Sequence, residues 1–295
     1  MEQKIQENID LFPYTSIKIG GPAAYLAHPK TFDQLIELLS WASERTIPVK
    51  IIGGGSNILI SEHGIKALVI DTKGLKDIHI RGTLLTAYCG NTLEDVITTA
   101  TEYSMAGLET FSGLPGTIGG AVHGNIGCFG HDIAEFIEWV EYLTCDGALH
   151  HMIRDQYHDT YRDSPFKHHP WMITEVCFNL QPGKAIAIQS RGKEYRKKRR
   201  DNGQYRYHSM GSVFKNPIDP STGVRISAGK LIDEAGLKGY RMGGAQVADY
   251  HGNIIINPRN EATADDIHRL IEHIRSRIEI LQDIKLETEI DFLGS

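Results

Sequence analysis

The densest glycine cluster of the chain, residues 113–127, constrains the fold more than any other feature. Its 15 residues contain six glycines and no Asp, Glu, Lys or Arg. A flexible linker would be polar and rich in Ser, whereas an apolar, glycine-dense loop lets the backbone come close to a ligand. The cluster therefore predicts a loop that packs against a flat, partly apolar ligand, such as a flavin with its pyrophosphate.

A second glycine segment, Gly53–Asn57 (GGGSN), follows the predicted strand Val49–Ile52. Successive N–H groups of such a turn can point at an anion. The Rossmann pattern G-x-G-x-x-G is absent and no Gly-Lys-Ser/Thr follows, so neither a Rossmann site nor a P-loop is indicated. On these residues alone, an ordinary tight turn explains the segment equally well.

The rest of the chain predicts an α+β fold. Thr31 with Gln34, Thr92 with Asp95 and Thr263 with Asp266 are helix-capping signatures. The last of these helices carries apolar residues at helical spacing: Ile267, Leu270, Ile271, Ile274, Ile278 and Leu281. Short apolar runs predict strands at 25–27, 49–52, 59–60, 67–70 and 253–257, with further strands in 75–90 and 136–171 and a short helix at 228–235. Composition shifts place boundaries near 72 and 200, giving parts 1–72, 73–200 and 201–295.

Charge and cysteine content exclude several classes of protein. Asp and Glu number 37 against 31 Lys and Arg, a net charge of −6, so no general nucleic-acid or membrane-surface role follows. Four scattered cysteines without a C-x-x-C spacing argue against a disulfide framework or structural zinc. The charged N-terminal segment and the strand-sized apolar runs predict no signal peptide and no membrane span, and hence a cytoplasmic protein.

Seven segments appear in the order found in one family. They are YTSIKIGGPA at 14–23, GGGSN at 53–57, SGLPGTIGGAVHGNIGCFG at 112–130, YRDSPFK at 161–167, GSVFKNP at 211–217, AGKLIDEAGLKGYRMGGAQV at 228–247 and LETEI at 286–290. Together they resemble the UDP-N-acetylenolpyruvoylglucosamine reductases (UDP-N-acetylmuramate dehydrogenases), flavoenzymes of peptidoglycan precursor synthesis. The resemblance covers essentially the whole chain, and the length is that of the shorter subtype.

The resemblance implies an FAD-binding fold of the vanillyl-alcohol-oxidase type. Its two FAD-binding subdomains would be 1–72 and 73–200, followed by a C-terminal α+β substrate-binding domain at 201–295. NADPH would reduce non-covalently bound FAD, which would then reduce a nucleotide-sugar enolpyruvyl ether, with the enzyme a monomer. The implied FAD-binding residues are Gly53, Gly54, Gly55, Ser56, Asn57, Pro115, Gly116, Thr117, Gly119, Gly120, Asn125 and Gly127.

Reduction of an enolpyruvyl double bond needs a cation or hydrogen-bond donor for the enolate and a proton donor at the other carbon. The resemblance implies Arg162, Ser212 and Glu289 as the catalytic residues; the implied substrate-binding residues are Tyr161, Lys215 and Asn216. Without it, Arg162 reads as a surface arginine paired with Asp163 or Asp159, Ser212 as a turn serine, and Glu289 as a solvent-facing acid on an alternating strand.

The chain departs from the family pattern at three places. Tyr205 stands where the family usually has proline, His208-Ser209-Met210 replace Pro-Ser-Ala, and Asp291 lies where an arginine is common. These differences bear on substrate contacts more than on the hydride chemistry. The missing cation would then come from Lys215, Lys230 or Arg225.

Two further features have ordinary explanations. The basic run Arg196–Arg200 predicts a solvated helix face, with nucleic-acid binding as the alternative. The histidines at 150, 151, 158, 168 and 169 have no partner at metal-ligand spacing, which favours surface residues and no metal site.

Another FAD-dependent oxidoreductase on the same fold, or a non-catalytic flavin-binding protein, remains an alternative function.

Overall fold

The computed structural model describes residues 5–294. The strands are β1 (Gln6–Asp10), β2 (Pro22–Ala27), β3 (Val49–Ile52), β4 (Ile58–Ile60), β5 (Ile65–Asp71), β6 (Ile78–Arg81), β7 (Leu84–Tyr88), β8 (Met105–Ala106), β9 (Gly127–Cys128), β10 (His131–Asp132), β11 (Ile137–Leu143), β12 (Leu149–Ile153), β13 (Met172–Asn179), β14 (Gln181–Pro182), β15 (His208–Ser212), β16 (Arg241–Met242), β17 (Ala245–Val247), β18 (Ile254–Asn257) and β19 (Asp291–Leu293). The α-helices are α1 (Phe32–Glu44), α2 (Leu93–Glu102), α3 (Ile118–His123), α4 (Pro165–His168), α5 (Ala185–Asp201), α6 (Ala228–Glu234) and α7 (Ala264–Gln282). No helix within 5–294 has both the length and the apolar character needed to cross a membrane.

The first compact unit comprises residues 1–7, 24–54 and 66–198. Its largest sheet is antiparallel with strand order β12-β11-β13-β7-β6, and β3 pairs in parallel with β5. Both predicted caps are present: the hydroxyl of Thr31 accepts a hydrogen bond from Gln34 N, and Thr92 forms a capping box with Asp95. These caps satisfy N–H groups that the first helical turn leaves without partners.

The second unit comprises residues 8–23, 55–65 and 199–295. Its antiparallel sheet has the order β15-β18-β17-β16, and α7 packs on β16 and β17. The helix buries an apolar face at 3.6-residue spacing, made of Ile267, Leu270, Ile271, Ile274 and Ile278. Leu281, predicted on the same face, is 51% exposed in the last turn of the helix, so the buried face ends at Ile278.

Segment 55–65 belongs to the second unit because of a long-range pairing. Strand β4 runs parallel to β19, with Ile58 opposite Asp291. This two-stranded sheet therefore joins a strand from the first quarter of the sequence to one near the C-terminus. The predicted boundary near 200 falls where the chain enters the second unit at Arg199, whereas residue 72 lies inside the first unit. The three-part division stays a prediction.

Candidate active site

The two glycine segments lie against each other in the first unit. A Cβ atom at Gly54 would lie 2.6 Å from the Cα atom of Gly116, and one at Gly53 would collide with the hydroxyl of Thr117. Both obstacles are fixed: Gly116 offers only backbone, and Thr117 is the buried N-cap of α3. The backbone at 53–54 therefore packs directly against 116–117 with no room for a side chain between them, and we call this contact the glycine floor.

The two glycines inside α3 differ in what surrounds them. A Cβ atom at Gly119 would lie 3.0 Å from the Cβ atom of Cys89, so close packing disfavours a side chain there. At Gly120, which is exposed, a Cβ atom would meet only the hydroxyl of Thr117 at 3.6 Å, an ordinary contact distance. Internal packing thus does not require glycine at 120. Its bare, uncharged backbone is exposed, which fits the close approach of a flat cofactor such as FAD.

The side chain of Asn125 forms hydrogen bonds within the fold. It is fully buried, with φ +41°. Its side-chain NH₂ group donates to Thr160 O at 2.9 Å, and its side-chain oxygen accepts from Ala134 N at 3.4 Å. These bonds tie the end of the glycine cluster to the segment that carries Arg162. A cofactor contact of Asn125 stays a prediction.

Arg162 is held on several sides. Its Nη1 lies 3.1 Å from Oδ1 of Asp132, its Nη2 donates to Gly127 O at 2.5 Å, and its Cζ lies 4.9 Å from the ring centre of Tyr161. The side chain is only 16% exposed, so the alternative of an ordinary surface arginine is wrong. The two acids named in that alternative bind elsewhere: Asp159 pairs with Arg154 at 2.7 Å and Asp163 with His168 at 2.8 Å.

The ion pair is partly shielded from water. Burial raises the pKa of Asp132, the charge of Arg162 lowers it, and the charges of Glu135 and Asp159 raise it, with a net upward direction. Loss of hydration therefore outweighs the attraction of the guanidinium.

In the second unit, three of the family-like segments come together. Glu289 N donates to Val213 O at 2.8 Å, and Lys215 N donates to Glu287 O at 2.9 Å, so the GSVFKNP and LETEI segments run side by side. Asn57 joins them: its side chain donates to Glu289 O at 3.1 Å, and its carbonyl accepts from Asp291 N at 3.0 Å. LETEI is therefore held by backbone bonds. Its two acids differ: Glu287 is 78% exposed, whereas Glu289 is half-buried and not a solvent-facing acid.

Ser212 ends β15 just after an irregularity in the pairing. Ser209 is opposite Ile256 and Ser212 is opposite Ile254, so β15 contains one extra residue. Gly211 in this bulge has φ +75°, a conformation that favours glycine. Bulges of this kind change the direction of the following side chain, and Ser212 is half-buried at that point. This fits a placed hydroxyl better than a turn serine.

The opening segment of the chain supports this strand. The backbone N–H of Ser16 donates to Gly55 O at 2.9 Å, and its hydroxyl donates to Ser209 O at 2.6 Å. Gly55 has φ +62°, and a Cβ atom there would collide with Tyr14 O. Ser56, next in the chain, is half-buried. Gly55 is thus required by the fold, and direct cofactor contacts of Gly55 and Ser56 stay predictions.

The three cations predicted to replace the family's arginine have different surroundings. Lys215 is 30% exposed, with Nζ 3.8 Å from the carboxylate of Glu287. Arg225 donates from Nη1 to Asn216 O at 2.6 Å, while the side-chain oxygen of Asn216 accepts from Ala228 N at 3.0 Å. Lys230 is 74% exposed and its Nζ lies 3.6 Å from Glu234. Lys215 is itself a predicted substrate-binding residue, and Arg225 is bound to the backbone carbonyl of another, Asn216.

The basic run differs in part from expectation. Arg196 pairs with Glu94 at 2.6 Å and Lys198 with Glu194 at 2.8 Å, while Arg199 is only 4% exposed. The prediction of a solvated helix face is wrong for Arg199, because it lies on the same face of α5 as the buried Ile188 and Gly192. The five histidines are exposed as predicted, and no cluster of three His, Cys, Asp or Glu side chains suited to a metal occurs among the described residues.

Two residues that hold the candidate catalytic residues in place were not predicted from the sequence. Asp132 holds Arg162 across 30 residues of chain. The buried side chain of Asn253 accepts from Phe214 N at 2.9 Å and donates to Phe214 O at 2.8 Å, which fixes the strand after Ser212. Each forms a contact that only the folded chain creates, and a single sequence carries no local pattern for it.

Comparison with known proteins agrees with this arrangement. Residues 23–152 match the FAD binding domain family, and residues 203–293 match the C-terminal domain of UDP-N-acetylenolpyruvoylglucosamine reductase. The reductases of that name from Lactiplantibacillus plantarum and Caldanaerobacter subterraneus are each 35% identical, over 99% of this chain and 94% and 95% of theirs. The crystal structure of the Thermus caldophilus reductase superimposes with a TM-score of 0.83 at 31% identity, covering 99% of this chain and 100% of that one.

Proposed function

Because the chain belongs to the UDP-N-acetylenolpyruvoylglucosamine reductase family, we propose that Arg162, Ser212 and Glu289 carry out the reaction of that family. The protein is an FAD-containing oxidoreductase of the UDP-N-acetylmuramate dehydrogenase type, with an FAD-binding domain of the vanillyl-alcohol-oxidase type and a C-terminal reductase domain. Its reaction converts UDP-N-acetylglucosamine enolpyruvate to UDP-N-acetylmuramate with NADPH, a step of peptidoglycan precursor synthesis.

The observation that carries the residue assignment is the pairing of GSVFKNP with LETEI. The bond from Glu289 N to Val213 O brings Ser212 and Glu289 onto neighbouring segments although 77 residues separate them in sequence. Bound FAD supplies the transfer of two electrons as hydride from NADPH to the substrate double bond. The glycine floor, with the exposed backbone at Gly120, would hold this cofactor without a covalent bond.

Arg162 stabilises the negative charge that develops on the substrate. The enolate shares its charge with the adjacent carboxylate, and a planar guanidinium can bind two oxygens at once. Because the side chain is only 16% exposed, water screens this interaction less than it would at the surface.

Ser212 donates the proton to the enolate carbon. Its position after the bulge at Gly211 fixes the direction of the hydroxyl, and a general acid must lie within hydrogen-bond reach of its target. Glu289 lies on the segment that pairs with the one carrying Ser212, and its backbone is held by Asn57 and Val213. Its role is to orient the donor or a bound water.

Binding of the substrate involves Tyr161, Lys215 and Asn216. Arg225 supplies the cation that the family pattern would place near Asp291, because its guanidinium already contacts Asn216.

We further infer a monomer in the cytoplasm that does not bind nucleic acid. Two members of the basic run are neutralised by Glu94 and Glu194. Light scattering after size-exclusion chromatography tests the oligomeric state.

An anaerobic two-step experiment tests the function. NADPH should bleach the flavin absorbance of the purified yellow protein, and subsequent mixing with UDP-N-acetylglucosamine enolpyruvate should restore it with formation of UDP-N-acetylmuramate. A flavin that NADPH bleaches but the enolpyruvyl compound does not restore would favour another oxidoreductase. A flavin that NADPH cannot bleach would favour a flavin-binding protein without this activity.

A further inference from the structure

Polar contacts on both terminal nitrogens of Arg162 define the plane of its guanidinium. Nη1 lies 3.1 Å from the carboxylate oxygen Oδ1 of Asp132, and Nη2 donates to the backbone carbonyl of Gly127 at 2.5 Å. Charge-assisted hydrogen bonds of this kind are stronger than neutral ones. One contact on each terminal nitrogen fixes both the position and the rotation of the group.

The backbone of Arg162 is constrained as well. Its φ is +58°, and its carbonyl accepts a hydrogen bond from Nζ of Lys167 at 3.1 Å. A non-glycine residue in the left-handed region carries a conformational cost that the surroundings must offset. The ion pair and the bond from Lys167 supply such surroundings, so the orientation of this arginine depends on its neighbours.

Gly127 gives an independent sign that the ion pair occupies a fixed place. Its φ is outside the left-handed region that favours glycine, so the backbone would accept alanine. A Cβ atom at 127, however, would collide with Oδ1 of Asp132 and lie 2.5 Å from Nη1 of Arg162. The two side chains that exclude a methyl group here are the two partners of the ion pair.

We propose that Asp132 is a positioning residue whose carboxylate holds the Arg162 guanidinium in its reactive orientation, and that Gly127 is a glycine because this ion pair fills the space of a side chain. The proposal rests on the catalytic role of Arg162 stated above. It gives Gly127, which the resemblance assigned to cofactor binding, a second function. Asp132 itself need not touch the substrate.

The test measures flavin reduction by NADPH and reoxidation by the enolpyruvyl substrate in separate stopped-flow experiments. In Asp132→Ala we expect unchanged FAD affinity, reduction within about twofold of the wild type, and reoxidation slowed by about 10- to 100-fold, since a misplaced catalytic group costs up to about 100-fold. Gly127→Ala should slow reoxidation by a similar factor, measured at saturating FAD because the resemblance also assigns Gly127 to cofactor binding. If the alanine variant folds poorly, Asp132→Asn takes its place. It keeps the size of the side chain and one acceptor oxygen, and should therefore slow reoxidation by an intermediate factor.

Glu135→Ala is the matched control. Glu135 accepts a hydrogen bond from Asp132 N at 2.8 Å in the same turn, so its removal disturbs that turn but leaves the carboxylate of Asp132 in place. Reoxidation in this variant should stay within about twofold of the wild type. A loss as large as that of Asp132→Ala would mean that the turn, and not the ion pair, matters, and the proposal would be wrong.

A double-mutant cycle separates positioning from general damage. Arg162→Lys alone should be strongly impaired in reoxidation, because a point charge does not replace the planar group. In that background Asp132→Ala should add less than about a threefold loss, since the orientation it supports is already gone. An equal loss in both backgrounds would overturn the proposal. Normal reoxidation in Arg162→Lys would instead refute the catalytic role of Arg162, and wild-type rates in Asp132→Ala beside an impaired Arg162→Lys would refute the positioning role alone.

Discussion

The two kinds of glycine at the floor predict opposite behaviour for Gly54→Ala and Gly120→Ala. At Gly54 a new methyl group would lie 2.6 Å from the backbone of Gly116, which cannot rotate away. Overpacking of this type costs about 1–3 kcal/mol, and neither glycine has a left-handed φ that would add backbone strain. Gly54→Ala should therefore lower the free energy of unfolding of the FAD-free protein by about that amount.

At Gly120 the methyl group would find only one atom outside the helix backbone within contact range, at 3.6 Å. Alanine inside a helix is more stable than glycine by about 0.5–1 kcal/mol, so the FAD-free protein should be as stable as the wild type or slightly more. If Gly120 is bare because FAD lies against it, the same methyl group should weaken FAD binding. A cost of about 1–3 kcal/mol corresponds to about a 5- to 150-fold higher Kd.

Urea unfolding of the FAD-free variants gives the stability, and titration with FAD, followed by flavin fluorescence, gives the affinity. The expected result is a crossed pattern in which Gly54→Ala loses stability and Gly120→Ala loses affinity at full stability. Unchanged FAD affinity in Gly120→Ala would refute the assignment of the exposed glycine to the cofactor. Equal destabilisation of the two FAD-free variants would refute the packing argument.

Three further results are expected. Ser212→Ala should be reduced by NADPH at nearly the wild-type rate while its reoxidation falls by at least about 100-fold, the loss typical of a general acid, and Ser209→Ala on the same strand should leave both steps unchanged; equal losses in both steps would make Ser212 structural. Asn57→Ala removes the hydrogen bond to Glu289 O and should lower the free energy of unfolding by about 1 kcal/mol, measured by urea unfolding; no change would show that β4 and β19 alone hold the LETEI segment. For Asp266, burial raises the pKa, but hydrogen bonds from Gly244 N, Thr263 and Arg269 outweigh burial, and the pKa is lowered. The stabilisation by Asp266 is therefore complete above the ordinary Asp value of about 4 and is lost as the pH falls through the lower pKa of the folded protein. Asp266→Asn should therefore make the free energy of unfolding less dependent on pH in acid, and an unchanged pH dependence would contradict this.

Local patterns in the sequence predicted three helix starts and the two glycine segments, but not helix α3, which lies inside the segment 113–127 that was predicted as a loop. Thr31, Thr92 and Thr263 cap helices where their spacing predicts, because a cap depends on residues three positions apart. The apolar spacing of α7 identified its buried face up to Ile278. The uncharged glycines at 113–127 indicated a surface of bare backbone, since no linker has that composition. The order of the family-like segments identified the reaction.

Tertiary structure alone decided how these parts meet. The bond from Asn57 to Glu289 joins residues 232 positions apart, and the parallel pairing of β4 with β19 carries segment 55–65 into the second unit. Asp132 reaches Arg162, and Arg199 is buried within a run of charges. Each contact is specified by the packing of the whole chain, and neither spacing nor composition near one residue encodes it. The sequence thus named the catalytic candidates, while the fold supplied the neighbours that hold them.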